Sequence, residues 1–318
     1  GGAPVFNRRG WQHIVDVHGG RLPVRISALP EGMVVPVGTP LLTVENTDPA
    51  VPWLTNVIES VLLKAWYPTT VATLSHHIRL ALSERVVRSG GALADASHML
   101  HDFGYRGVSS EESAQVGGAA HLVNFTGSDT LVALPWLRAH YGAQLAGLAY
   151  SVAASEHSVM TALGRDGEYV MARSIINSHE NQIVSLVADS YDYYAFVLEM
   201  IRCHDVVTQR RVRLVIRPDS VTQDHPTPEA LVLWTLRTID EALGGDVTST
   251  GHKRLPYTVL WGDGIDHDGV LRIVDTALAN GYAAQNLVFG MGGGLLQKVH
   301  RDTLRFAIKC SAQYRDGA

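Results

Sequence analysis

Residues 183–192 read Ile-Val-Ser-Leu-Val-Ala-Asp-Ser-Tyr-Asp. A short apolar run passes directly into a cluster of small and acidic residues, and a helical pattern follows. The run reads as a strand and the cluster as the turn at its end. The same form recurs along the chain. Met99-Leu100 runs into HDFGYRG, His121 to Phe125 into TGSD, and Leu148 to Val152 into AASEHS. Leu214 to Ile216 runs into RPDS, Tyr257 to Trp261 into GDGID, and Leu287 to Phe289 into GMGGG, with Phe306 to Ile308 before KCSAQ as a weaker eighth. Strands alternating with helices imply parallel βα units. Seven or eight of them fit a closed or irregular α/β barrel better than an open sheet. In such barrels the chemistry gathers where the strands end, and the polar clusters sit there.

The chain ahead of these units has another character. Leu22, Val24, Ile26 and Ala28 alternate, and Met33 to Pro40 carries valines broken by Pro36 and Gly38. Both stretches read as short strands of a small sheet. Trp53, Leu54, Val57, Ile58, Val61, Leu62 and Ala65 share one helical face that ends before Pro68, and a second helix is expected over Val71 to Val87. Ser89-Gly90-Gly91 makes a joint. The expected organisation is a smaller mixed α+β sheet domain over 1–95, the barrel over 96–298, and a segment over 299–318 returning to the first domain.

Composition narrows the class. Of 318 residues, 46% are hydrophobic and 18% charged, which suits a sizeable core and excludes disordered or low-complexity chains. The formal net charge of -5 disfavours general binding of nucleic acid. The apolar runs are too short to span a membrane, and the polar start at Gly1 is not read as a signal peptide. Cys203 and Cys310 are the only cysteines and belong to no zinc-type spacing. They read as reduced, interior residues of a cytoplasmic protein. With no metal-ligand cluster at a strand end, no metal ligands are assigned.

The polar clusters supply the candidate site. In Gly290-Met291-Gly292-Gly293-Gly294 a strand runs through glycines into a helix, so backbone N–H groups can close on an anion. The run is not a Walker A loop; a tight turn is the simpler alternative. Arg217 and Asp219, two positions apart at a strand end, suit a phosphate or carbonyl and a sugar hydroxyl. Asp263 lies between two glycines that allow close approach of a ligand. Asp129, Asp189, Asp219 and Asp263 all follow an expected strand; each alone could cap the next helix, but four on one face point to a site. Phe103 can stack a flat ring and Arg106 can hold phosphate oxygens. His157, on a loop beside Glu156, can carry a proton or attack a phosphoryl group. Asp246 to Gly251 has the outline of a ribose-phosphate loop, but no apolar strand precedes it and it reads as a linker.

Taken together and in this order, TVENTD (Thr43 to Asp48), WYPTTVAT (Trp66 to Thr73), HDFGYRGVSS, HLVNFTGSDT, AASEHS, VADSYD, IRPDS, GDGID and GMGGGLLQK resemble the nicotinamide phosphoribosyltransferase family over nearly the whole chain. The resemblance implies a type II phosphoribosyltransferase: an irregular βα barrel beside a smaller mixed sheet domain, cytoplasmic, and a homodimer with shared active sites. It implies transfer of phosphoribose from 5-phosphoribosyl 1-pyrophosphate to nicotinamide in NAD salvage, with Mg²⁺ on the pyrophosphate and ATP hydrolysis coupled through a phosphohistidine. By resemblance Phe103 stacks the pyridine ring, Arg106 contacts phosphate, and Asp129 accepts the carboxamide N–H. Arg217 and Asp219 touch base, phosphate and ribose, with Asp189 and Ser185 beside them. Gly262 and Asp263 meet ribose, Gly292 and Gly293 phosphate, and Arg301 and Lys309 the 5′-phosphate, reaching across the dimer. His157 is the residue that ATP phosphorylates, and Asp219 and Asp189 join it as catalytic residues. The family continues ahead of Val5, where it supplies a tyrosine over the other face of the base, and beyond the last residue here; near Ala307 it can place a serine. Nicotinate transfer and a catalytically silent nucleotide-binding relative are the alternative readings.

Overall fold

The computed structural model describes residues 5–314. The chain forms two compact units, one spanning Tyr67–His300 and one made of the residues up to Trp66 together with those from Arg301 onward.

In the smaller unit, β1 (Val24–Ala28) pairs antiparallel with β2 (Leu42–Asn46), Ile26 opposite Val44. Met33 to Pro40 forms no strand. Pro36 removes a ladder donor and Pro40 ends the irregular stretch, so the strand expected there begins only at Leu42. The helix Arg8–His18 and the helix Leu54–Leu62 bury Ile14, Val51, Leu54 and Ile58 as a separate small core. A single 3₁₀ turn, Leu63–Ala65, follows, and the helix Trp66–Arg88 then runs through Pro68. Proline in a first turn gives up an N–H that has no intrahelical partner anyway, so Pro68 ends nothing.

The larger unit carries seven parallel strands: β3 (Leu100–Asp102), β4 (Gly127–Ser128), β5 (Ala153–Ala154), β6 (Ile183–Val187), β7 (Arg213–Arg217), β10 (Thr258–Trp261) and β11 (Leu287–Met291). Their spatial order is β4-β3-β11-β10-β7-β6-β5. At the edges, Gly127 and Tyr150 make a parallel bridge. The Ser128 N–H donates to the Tyr150 carbonyl at 3.1 Å, and the Tyr150 N–H to that of Thr126 at 2.7 Å. The chain leading into β5 therefore joins both edges of a curled sheet, the α/β barrel expected from the sequence. Helices such as Tyr193–Arg202, Pro228–Leu243 and His267–Ala279 cover it. They bury Leu100, Leu186, Phe196, Ile216, Leu236, Val259, Ile273 and Phe289 in one continuous core.

Several strand positions differ from the sequence reading. His121 to Phe125 is the end of the helix Glu111–His121 and a turn, and the strand is the two-residue β4 beyond it. Leu148 to Val152 leads into β5, which begins only at Ala153. Phe306 to Ile308 forms no strand. Asp246 to Gly251 is not a plain linker: β8 (Asp246–Val247) and β9 (Lys253–Arg254) pair as a small antiparallel hairpin. Of the two free cysteines only Cys203 is interior; Cys310 is exposed. Among the described residues no helix is long and apolar enough to cross a membrane.

Candidate active site

The register aligns Asp102 with Met291 and Ser128, and Val187 with Arg217. Because the strands are parallel, the residue after each one leaves the sheet on the same edge. There lie Phe103, Asp129, Ser155, Ala188-Asp189, Pro218-Asp219, Gly262-Asp263 and Gly292.

The four strand-end acids have no capping duty. The helix after β6 is capped by Asp192, the one after β7 by Thr227, and the one after β10 by Asp266, each side chain accepting a first-turn N–H. No side chain caps the helix Ala133–Tyr141 that follows β4. Asp129, Asp189, Asp219 and Asp263 are thus available for ligand or for one another.

Asp189 ties three of the turns together. One oxygen lies 3.1 Å from Nε2 of His157, and the other accepts the Asp219 N–H at 3.2 Å and the Ser220 hydroxyl at 2.6 Å. The Asp189 side chain is 8% exposed and that of His157 48%, so a fixed carboxylate orients an imidazole that opens to solvent. His157 begins the short helix His157–Met160. Arg217 closes on Asp219 through Nη2 at 2.7 Å and Nε at 3.2 Å. Its guanidinium carbon also lies 5.5 Å from the centroid of the Phe103 ring, within cation–π reach.

Phe103 is seated by a missing side chain. A Cβ on Gly290 would fall 1.9 Å from Cε2 of the ring, so only glycine lets the ring lie across β11. A Cβ on Gly294 would fall 2.6 Å from the Ile265 carbonyl, and one on Gly292 would stand 3.3 Å from the Phe103 carbonyl. None of these glycines has a positive φ. The run exists for close approach, and the tight-turn alternative falls away. Gly293 begins the four-residue helix Gly293–Leu296 with open space where a side chain would be.

Beside Phe103, the Asp129 N–H donates to the Asp102 carbonyl at 3.0 Å, and one Asp129 oxygen accepts the Ser151 hydroxyl at 2.5 Å. An exposed carboxylate is so held one strand away from the aromatic ring. Asp102 is fully buried: one oxygen accepts the Gly104 N–H at 2.7 Å, shaping the turn that carries Phe103, and the other has no hydrogen-bond partner. Burial pushes its pKa up to about 6. His101 points its ring against Gly127, and burial lowers its pKa.

The remaining candidates are placed as follows. Arg106 is exposed in the 3₁₀ turn Tyr105–Gly107. Ser185 is buried in β6, its carbonyl accepting the Ser155 N–H at 2.9 Å. Gly262 leaves 3.6 Å between its absent Cβ and the Phe103 ring; Asp263 is exposed, its carbonyl taking the Trp261 indole N–H at 2.8 Å. Arg301 and Lys309 belong to the smaller unit, where Arg301 pairs with Asp302 at 2.7 Å. Sequence reading had passed over Asp102, Ser151 and Ser220. All three lie in or beside the quoted motifs; Ser151 and Ser220 were hidden because their partners, Asp129 and Asp189, come from other turns, and Asp102 because its burial does not show in the local sequence.

Residues 98–316 match the nicotinate phosphoribosyltransferase (NAPRTase) family, and the chain belongs to that family. The chain is 45% identical over 319 residues to a nicotinamide phosphoribosyltransferase of Xanthomonas campestris pv. campestris, covering 98% of this chain and 67% of that protein. Proteins of the same name from Mycoplasma pneumoniae and Acinetobacter baylyi are 34% and 32% identical, over 98% and 94% of this chain and 71% and 63% of theirs. The chain thus spans about two thirds of the length of these relatives.

Asp102 gives the site a pH signature. Between 3.8 and about 6 the folded chain holds a proton that the unfolded chain has released. Stability from this group is therefore full below the lower value and is lost as pH rises through the upper one. Urea unfolding of the protein and of Asp102→Asn, compared from pH 4 to pH 7, should show the unsubstituted chain losing roughly 2 kcal/mol relative to the variant. A pH-independent difference would contradict this.

Proposed function

We propose that the protein joins nicotinamide to 5-phosphoribosyl 1-pyrophosphate, giving nicotinamide mononucleotide and pyrophosphate. The names of the relatives support this, and so does the pairing of an aromatic ring with a neighbouring carboxylate at the barrel edge. That pairing carries the reading. Phe103 offers a flat apolar face to the pyridine ring, while Asp129, fixed by Ser151, can accept from a carboxamide N–H. The same carboxylate would repel nicotinate. The family description, naming nicotinate, keeps nicotinate transfer as the second reading.

Displacement at the anomeric carbon passes through an oxocarbenium-like state, as in glycoside chemistry. Asp219 and Asp263 set negative charge where that cation develops. Arg217, neutralised by Asp219 on one side, steers toward the base and phosphate. Gly262, Gly292 and Gly293 let the sugar phosphate approach the backbone, and Arg106 supplies a cation at the rim. Mg²⁺ prefers carboxylate and phosphate oxygens, which suits this acid-rich edge. Asp263 is the exposed donor that would hold it, and the ion would neutralise the pyrophosphate leaving group.

ATP coupling runs through His157. With Nε2 held by Asp189, the other ring nitrogen is free to attack the terminal phosphorus of ATP. The N–P bond forms as the P–O bond to ADP breaks, and water later hydrolyses the phosphohistidine. Ser185 shapes the wall behind Asp189 from within β6. Arg301 and Lys309 serve the 5′-phosphate in a homodimer with shared sites, and the use of phosphorylated substrates suits a cytoplasmic enzyme.

Product formation from nicotinamide, 5-phosphoribosyl 1-pyrophosphate and Mg²⁺, with and without ATP and beside nicotinate, tests the reading. Nicotinamide mononucleotide, raised by ATP, is expected. Binding of the mononucleotide without turnover would make the chain a silent relative. Asp129→Asn should narrow the nicotinamide-over-nicotinate ratio of kcat/KM by about tenfold or more, the value of one charged contact; an unchanged ratio would remove Asp129 from base recognition. His157→Ala should abolish stimulation by ATP while leaving ATP-independent transfer. Equal loss of both would show that His157 does more than couple.

A further inference from the structure

The smaller unit holds a cluster that the proposed reaction does not use. His13 and His18 lie on the helix Arg8–His18, and Asp48 follows β2. Each histidine sets Nε2 at 2.8 Å from the same Asp48 oxygen, Oδ2. The three atoms lie within 4.8 Å of one another. We propose that His13, His18 and Asp48 bind a borderline transition-metal dication of the Zn²⁺ class.

Ligand chemistry selects the ion. Two imidazole nitrogens and one carboxylate oxygen suit Zn²⁺, Co²⁺, Ni²⁺ or Cu²⁺ and do not suit Mg²⁺ or Ca²⁺, which want oxygen ligands throughout. Tetrahedral bonds of about 2.0–2.1 Å place ligand atoms about 3.3 Å apart. The present 2.8 Å separations therefore need each imidazole to retreat by about half an ångström, a small side-chain rotation. Side-chain exposures of 34%, 30% and 15% let an ion enter and leave water to fill the fourth position.

The surroundings hold the cluster in place. The second Asp48 oxygen accepts the Ala50 N–H at 2.8 Å, which aims Oδ2 at the histidines. The Asn46 amide donates to the Asp48 carbonyl at 2.6 Å and fixes the loop. Ile14, next to His13, is buried with Val51, three residues beyond Asp48, so the helix and the loop share one small core. In the bound form each Nε2 would present its lone pair to the ion, with the ring proton on Nδ1. The bound ion would join segments 30 and 35 residues apart in the chain.

Co²⁺ reports the site directly, because tetrahedral Co²⁺ absorbs strongly in the visible. The full chain, stripped with chelator and kept free of phosphate, is titrated with Co²⁺ and then with competing Zn²⁺. One Co²⁺ per chain with intense visible absorption, displaced by Zn²⁺, is expected. His18→Gln and Asp48→Asn should each weaken that binding at least tenfold, whereas His77→Gln, a histidine elsewhere, should leave it unchanged. Equal Co²⁺ affinity in the unsubstituted chain and in Asp48→Asn would overturn the site. Should a variant lose its fold by circular dichroism, paramagnetic shifts in the unsubstituted chain decide instead. Co²⁺ must then shift the His13 and His18 ring protons, and shifts confined to other histidines would overturn it.

Discussion

The parallel backbone ladder is the constraint on which the site depends. β4, β3, β11, β10, β7, β6 and β5 pair only with neighbours running the same way, so all seven strands end at one edge. Helices return the chain to the opposite edge each time, and their apolar faces close the core over Leu186, Ile216, Val259 and Phe289. Polar residues that follow a strand then have nowhere to go but the common edge. Seven turns far apart in the chain become neighbours without any further instruction.

Within that frame, packing decides what each turn can do. Phe103 lies across β11 only because residue 290 has no side chain. Asp102 shapes the turn ahead of it at the cost of a buried, half-satisfied carboxyl. Helix capping falls to Asp192, Thr227 and Asp266, which leaves Asp189, Asp219 and Asp263 without capping duty at the strand ends. Asp189 then binds three turns through hydrogen bonds to His157, Asp219 and Ser220. An ion-paired Arg217 and an acid-rich rim suit a reaction that develops positive charge on a sugar beside a phosphorylated leaving group. Membership of the nicotinate phosphoribosyltransferase family and likeness to proteins named for nicotinamide agree with that chemistry.

The smaller unit follows other rules. It has a two-stranded sheet and a core of four fully or nearly buried residues. So small an apolar interior gives little stability by itself. His13, His18 and Asp48 sit beside it, where a bound ion would add a cross-link between helix and loop.

What the amino-acid order determined alone was the alternation. Apolar runs such as Ile183 to Val187, broken by acidic and glycine clusters, dictate strands ending in chemistry and hence a parallel α/β barrel; β6 appears at the residues expected. Short elements escaped that reading. A two-residue strand such as β4 has no periodicity to detect, and Met33 to Pro40 looked like a strand because valine propensity ignores where proline removes the ladder. Single-residue candidates were legible because Phe103, Asp129, His157, Arg217 and Asp263 lie where strands stop. Their partnerships were not. That Ser151 holds Asp129, that Gly290 rather than Gly293 makes room for Phe103, and that His13 and His18 converge on Asp48 depend on which turns meet across space. Such meetings are fixed by register and packing between distant segments, and local sequence carries no record of them.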